Sequence, residues 1–143
     1  MFNAKENSEK LQEVIRASWF IVEEGAYIYT SVKEITAPEK HLMIINDGKE
    51  ITIVTREENL PLPGMYEANK DKWRLLNIRC GNPFYCSGFI AYITGAFAAK
   101  GIDIVITSSF SNDLVMVMEK DLDVSVDTLI EIGFVQRILN SEF

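Results

Sequence analysis

A short polar stretch, SSFSND, separates two strongly apolar runs, IDIVIT and LVMVM, and ends in the carboxylate of Asp113. A carboxylate beside a buried strand can accept hydrogen bonds from an ammonium or guanidinium group. It can equally accept backbone N–H groups of its own turn. Ser109, Phe110 and Asn112 share this loop and would line the same site. The stretch therefore predicts either an anchor for a cationic group or a self-contained turn.

A second stretch, GNPFYCSG, precedes a predicted helix and could supply an anchor of opposite kind. Free N–H groups at a helix start attract anions, so Phe84, Tyr85, Cys86 and Ser87 are candidates for contact with a ligand carboxylate. The alternative is a helix entry shaped by Pro83 alone. The stretch lacks the GK[ST] of a phosphate loop, so nucleotide binding is not supported. Together, the two anchors would match the two charges of an α-amino acid.

The other reactive groups are few and scattered. His41 is the single histidine, and Cys80 and Cys86 do not have CxxC spacing. A metal site needs several ligands that converge, and these residues come from separate segments. We expect no metal, no cofactor and no catalytic residue of the serine or cysteine triad kind. The two thiols are expected to pack as small hydrophobic groups.

Composition restricts the classes of function. The chain has 143 residues, 48% of them hydrophobic, which suffices for one ordinary core or two very small ones. A formal net charge of −7 argues against nucleic acid and against an anionic membrane surface, since both require lysine and arginine. No apolar run is long enough to span a bilayer, and the first residues are not typical of a signal peptide. We expect a cytoplasmic protein without nucleic-acid or membrane partners.

The first half of the chain is predicted to be mainly strands after one helix. The helix covers NSEKLQEVIRAS, and SWFIVEE follows as a strand. The stretches HLMIIN and KEITIVT flank Asp47-Gly48, which indicates a hairpin with a two-residue turn. No equally convincing helix accompanies these strands. We therefore expect a helical segment over residues 1–17 and a degenerate module over residues 18–70.

The second half alternates strands and helices more clearly. WRLLNIRC is a predicted strand, a helix runs from after Pro83 to Gly101, and a second helix ends at Gly133. IDIVIT, LVMVM and FVQRIL are the remaining strands. The order βαββαβ is the ferredoxin-like arrangement, with both helices on one face of the sheet. The predicted fold class is α+β, with a complete module over residues 71–143.

Two of these strands predict self-association. IDIVIT and LVMVM are so apolar that both of their faces should be covered. One small module covers only one face of its sheet. The second cover must come from the first half of the chain or from a second copy, and we expect a homodimer.

Several stretches match a known family. SSFSNDLVMVMEKDL follows STFDTDYLLVKEEDL in length and in most positions, and NPFYCSGFIAYITGAFAAKGIDI is similar to LPFSLTGILASLAAPLAEAGISI. DKWRLLNIR is similar to PGWRCLKVE, and HLMIINDGKEITIVTREENLP to FFSVTRTPDELSIVCEEDRVP. From about Trp19 to Phe134 the chain resembles ACT-like domains of the bacterial and archaeal group related to the regulatory region of aspartate kinases. The eukaryotic cytosolic arginine sensors belong to the same wider group.

The resemblance implies paired ACT-like modules, usually dimeric, in a non-catalytic role that senses amino acids or similar small ligands. We therefore expect a regulatory protein that binds an amino acid and responds by a conformational or oligomeric change. Three alternatives remain open. The chain could be a ligand-free interaction module, a detached regulatory subunit of an amino-acid biosynthetic enzyme, or a small enzyme that uses Asp113 as general acid or base.

Overall fold

The computed structural model describes residues 4–80 and 86–138. None of the helices in these residues has the length and apolar character that a membrane span requires. The helices and strands are, in chain order, α1 (Ala4–Ala17), β1 (Trp19–Val22), β2 (Tyr27–Val32), β3 (Met43–Asn46), β4 (Ile51–Arg56), β5 (Met65–Ala68), β6 (Trp73–Arg79), α2 (Phe89–Ala99), β7 (Ile104–Ser108), β8 (Asn112–Met118), α3 (Leu122–Glu131) and β9 (Val135–Gln136).

The chain divides into two compact units. The discontinuous unit consists of residues 1–23 and 75–143, and the inserted unit consists of residues 24–74. This division differs from the predicted one, which places β1 in a module over residues 18–70. The reason is long-range pairing: β1 is antiparallel to β6, with Phe20 opposite Ile78. Local patterns show that β1 is a strand but not which strand it pairs with.

The sheet of the discontinuous unit has the order β9-β1-β6-β8-β7. β1 pairs with β9 in parallel, and β7 and β8 form an antiparallel hairpin. The run β6-α2-β7-β8-α3-β9 is the predicted βαββαβ order, and the α+β fold class is confirmed. β1 is an additional strand that lies between β6 and β9.

One apolar core holds this unit together. It joins side chains of all three helices to alternate residues of β1, β6 and β8, so the helices cover one face of the sheet. Burial of each large side chain contributes about 1.5–3 kcal/mol of transfer free energy. The fully buried members include Ile15, Phe20, Leu76, Ile78, Ile93, Phe97, Val115, Val117 and Leu129.

The inserted unit is built from strands and contains no α-helix over residues 24–74. β4 lies between β3 and β2, all antiparallel, and β5 pairs with the opposite edge of β2. Its core includes Val32, Ile53 and Leu62. The hairpin of β3 and β4 is confirmed, but its turn is centred on Gly48 and Lys49, one residue later than predicted, because the Asp47 N–H donates to the Glu50 carbonyl at 3.4 Å.

The two most apolar strands differ in burial. The first six residues of β8 are buried, as expected for a strand covered on both faces. The prediction of equal cover is wrong for β7, whose first four residues are only half-buried. β7 is the last strand of its sheet, so one edge lacks a partner strand among the described residues.

Candidate functional site

Asp113 is the second residue of β8 rather than the last residue of a loop. The register of the hairpin places it opposite Ser108 of β7. The Ser108 hydroxyl donates a hydrogen bond of 2.6 Å to Oδ1 of the carboxylate. Asp113 is only 6% exposed, and it makes no ion pair with any residue the structure describes. The site is thus a nearly buried carboxylate whose observed hydrogen bond comes from a neutral hydroxyl.

The turn before Asp113 is closed by other groups. The Ser109 N–H donates to the Asn112 carbonyl at 2.9 Å, and the Asn112 N–H donates to Ser109 Oγ at 3.2 Å. Phe110 stands at the tip with 98% of its surface exposed and is not brought to Asp113. Because Ser109 closes the turn, the hydrogen bonds that define it do not use the Asp113 carboxylate.

Strand alternation separates two residues that the sequence suggested would act together. Successive side chains of a strand point to opposite faces. Asp113 shares a face with Val115 and Val117, which lie in the helix-covered core. Asn112 lies on the other face, is 9% exposed, and its Oδ1 has no hydrogen-bond partner among residues 4–80 and 86–138. The structure therefore places Asn112 apart from the Asp113 carboxylate.

Cys80 directly follows β6 and lies near the Asp113 carboxylate. The pKa of the Cys80 thiol is raised to about 11, mainly by burial and to a smaller extent by the negative charge of Asp113 and by the neighbouring Cys86. Cys80 and Cys86 are both in the thiol form rather than in a disulfide, and both pack against the helix-covered core. The group formed by Ser108, Asp113, Cys80 and Cys86 is named the Asp113 corner. Ser108 and Cys80 were not predicted as site residues, although the pairing of β7 with β8 identifies Ser108 once the register is known.

The entry of α2 supplies the second half of the candidate site. Gly88 is the N-cap at φ +88°, a left-handed conformation that favours glycine, and it offers no side-chain cap. The first turn carries no acidic side chain, so nothing in it offsets the positive end of the helix dipole. Ser87 is exposed here, while the predicted Phe84 and Tyr85 lie outside the described residues. This entry can therefore attract an anion.

The described residues contain no group of three His, Cys, Asp or Glu side chains that could hold a metal ion. His41 is part of the inserted unit, where its ring nitrogens lie 2.9 Å from Thr55 Oγ1 and 2.8 Å from the Thr36 carbonyl. Both nitrogens are thus engaged by protein groups. His41 has a packing role at the start of the β3–β4 hairpin.

Comparison with solved structures shows the fold. The chain is similar to a Vibrio cholerae protein of unknown function, described as a possible transport protein, with a TM-score of 0.76 and 15% identity over 89% of this chain and 98% of that one. For an Agrobacterium tumefaciens protein, the TM-score is 0.70 and the identity is 18%, over 88% of this chain and 96% of that one. For the ligand-free regulatory subunit of aspartate kinase from Thermus thermophilus, the TM-score is 0.57 and the identity is 12%, over 83% of this chain and 97% of that one.

Comparison by sequence covers fewer residues than comparison of structures, but it points to one family. No curated protein matches the chain in sequence. The model of the ACT domain family matches residues 69–131, which include β6, α2, β7, β8 and α3. The match covers both halves of the candidate site, the β7–β8 hairpin and the entry of α2. The resemblance seen in the motifs is confirmed over this part of the chain: residues 69–131 match the model of the ACT domain family.

Proposed function

We propose that this chain is a regulatory protein that binds an amino acid at the Asp113 corner and the entry of α2. The observation that carries the proposal is a nearly buried carboxylate without a cationic partner in the described structure. A buried charge is costly unless a partner compensates it. The ammonium group of a ligand would supply that partner, and its carboxylate would meet the α2 entry. The ACT domain and the likeness to aspartate kinase regulatory subunits support a regulatory role.

The proposed mechanism is a shift between populations of two arrangements rather than bond chemistry. An enzyme would need a second titratable group partnered with Asp113. The described neighbour is Cys80, whose pKa of about 11 keeps the thiol protonated and unreactive near neutral pH. The proposal therefore names no catalytic residue and no cofactor, and it places the protein in the cytoplasm as a homodimer.

A thermal-shift screen against the amino acids tests the proposal. A ligand at one hundred times its Kd stabilises the native state by about 2.7 kcal/mol. For a chain of this size that corresponds to a melting shift of about 5 to 11 °C. We expect one amino acid, or a small related set, to produce such a shift. A flat response across the panel would contradict the proposal.

A second candidate function follows from the open edge of β7. A ligand-free interaction module, or a detached regulatory subunit that binds its enzyme, would use such an edge for strand pairing. The likeness to aspartate kinase regulatory subunits supports this version. It predicts self-association or partner binding that amino acids do not change, whereas the first proposal predicts a ligand-dependent change. Sedimentation with and without the amino acids separates the two.

A further inference from the structure

The inserted unit has a surface groove at the end of β2 that the proposed function does not use. Its volume is about 390 Å³, within the range of about 300–1,000 Å³ that small-molecule sites occupy. The last residues of β2, the β3–β4 turn and one side chain of β5 line it. The inserted-unit groove is defined by Val32, Lys33, Lys49, Glu50, Ile51 and Tyr66.

The charged groups of the groove favour an anion. Lys33, which directly follows β2, and Lys49 of the turn line the groove, and neither forms an ion pair within residues 4–80 and 86–138. By contrast, Lys72 and Lys100 are paired with Glu57 and Glu131 at 2.9 and 2.7 Å. Among the lining residues, two lysines against the single acid Glu50 leave an excess of one positive charge in a chain of net charge −7. Asp47 of the same turn does not line the groove, and its carboxylate accepts the N–H groups of Lys49 and Glu50. Glu50 would oppose a second or third negative charge on a ligand, so a monoanion fits best.

Val32, Ile51 and Tyr66 form the apolar and aromatic part of the groove, and Ser31, Asn46 and Gly48 also line it. Val32 and Ile51 are cross-strand partners at its floor, and Val32 is buried. The pairing of β2 with β5 shifts between Ser31 and Val32, which leaves Tyr66 as the extra residue of a bulge. A bulge redirects a side chain out of the regular pleat. Tyr66 is 71% exposed at the rim, where its ring can cover an apolar ligand body.

We propose that the inserted-unit groove binds a small monocarboxylate with an apolar or aromatic body. The carboxylate lies between Lys33 and Lys49, and the body packs on Tyr66 and the Val32–Ile51 floor. The site belongs to the inserted unit and is independent of the Asp113 corner. The protein therefore has two ligand sites, one for an amino acid and one for an apolar carboxylate.

The test is an NMR titration of the ¹⁵N-labelled full chain with phenylacetate. We expect saturable shifts of the backbone amide signals of Lys33, Lys49 and Tyr66. Phenylacetamide, the neutral analogue, should bind about tenfold more weakly, because two exposed ion pairs together are worth about one order of magnitude in affinity. Inorganic phosphate should also bind more weakly, because it has no apolar body.

Variants locate the site. The double variant Lys33→Gln/Lys49→Gln should weaken phenylacetate binding about tenfold, and Tyr66→Ser should weaken it with the charges intact. Lys70→Gln is the matched control, since Lys70 is exposed in the same unit and does not line the groove.

Three results would overturn the proposal: no saturable shifts with phenylacetate, equal affinity in the double variant, or shifts confined to the β7–β8 hairpin. Phosphate binding as tight as phenylacetate would overturn the assignment of the apolar body.

Discussion

The two hairpins each contain one aspartate, and the structure uses the two carboxylates differently. In the β3–β4 hairpin, Oδ1 of Asp47 accepts the N–H groups of Lys49 and Glu50, both at 2.8 Å, in full contact with solvent. In the β7–β8 hairpin, Ser109 closes the turn, and Asp113 lies nearly buried on the helix-covered face. A carboxylate that closes its own turn has a structural role. We propose that the buried carboxylate, which the turn does not need, binds a ligand instead.

The largest expected effect is a difference between the two hairpins in the stability lost when an apolar side chain is truncated. Met116 of β8 is fully buried, whereas Ile45 of β3 is half-exposed. We expect Met116→Ala to lower the free energy of unfolding by about 2–5 kcal/mol, because it removes buried apolar surface and leaves a cavity. Ile45→Ala should cost less than about 1 kcal/mol. Denaturant unfolding of both variants measures this, and equal losses would contradict the difference in burial.

The next expected effect is a difference in ligand-induced stabilisation between variants of the two aspartates. Asp113→Asn keeps the shape of the side chain and removes its charge. We expect the unliganded melting temperature to change little and the amino-acid-induced stabilisation, about 2.7 kcal/mol at one hundred times Kd, to disappear. Asp47→Asn is the matched control and should retain the ligand shift. A full ligand response in Asp113→Asn would remove Asp113 from the proposed site.

The open edge of β7 should mediate self-association. Lysine on an edge strand opposes pairing with another strand. Val105→Lys is therefore expected to weaken dimerisation at least about tenfold, which is about 1.4 kcal/mol. Sedimentation velocity at micromolar concentration measures it, with Ile45→Lys on the edge strand β3 as the control. A wild-type protein that remains a monomer, or a Val105→Lys variant that still dimerises, would contradict this role.

Neighbouring serines of the β7–β8 hairpin should give opposite results. Ser109→Ala removes the hydroxyl that accepts the Asn112 N–H and should cost about 0.5–1.5 kcal/mol of stability with ligand binding retained. Ser108→Ala removes the hydrogen bond to Asp113 and should change the ligand affinity. Thermal unfolding with and without the amino acid distinguishes the two. Similar behaviour of both variants would show that the turn and the Asp113 corner are not separable.

The smallest effect is a pH dependence at Asp47. The N–H groups of Glu50 and then Lys49 hold the pKa of its carboxyl below the ordinary value. Since the folded pKa is lower than the unfolded one, Asp47 stabilises the fold above the unfolded pKa, and that contribution is lost as the pH falls through the folded pKa. Asp47→Asn should therefore weaken the acid-side loss of stability. Urea midpoints from neutral pH to about pH 3 measure it, and an unchanged slope would contradict the assignment.

Much of the secondary structure was predictable because it depends on local patterns. The βαββαβ order, the helix stops at Gly101 and Gly133 and the two hairpins follow from hydrophobic period and turn residues. The geometry of the candidate site was predictable only in part. The sequence identifies Asp113 as a candidate. It does not reveal that the Ser108 hydroxyl is its hydrogen-bond partner or that Asn112 lies on the other face of β8. A strand boundary that is uncertain by one residue reverses which side chains share a face.

By itself, the sequence determined the helices and most of the strands, though not β2 or β5. It also determined the match to the ACT domain family over residues 69–131 and an acidic composition that argues against nucleic acid. The tertiary structure alone decided that β1 lies between β6 and β9, that Cys80 lies near Asp113, and that Tyr66 and two lysines share a groove. The physical reason is the distance along the chain over which each kind of interaction acts. Helix and strand periods repeat within a few residues, whereas strand pairing joins positions such as Phe20 and Ile78 that no local pattern connects.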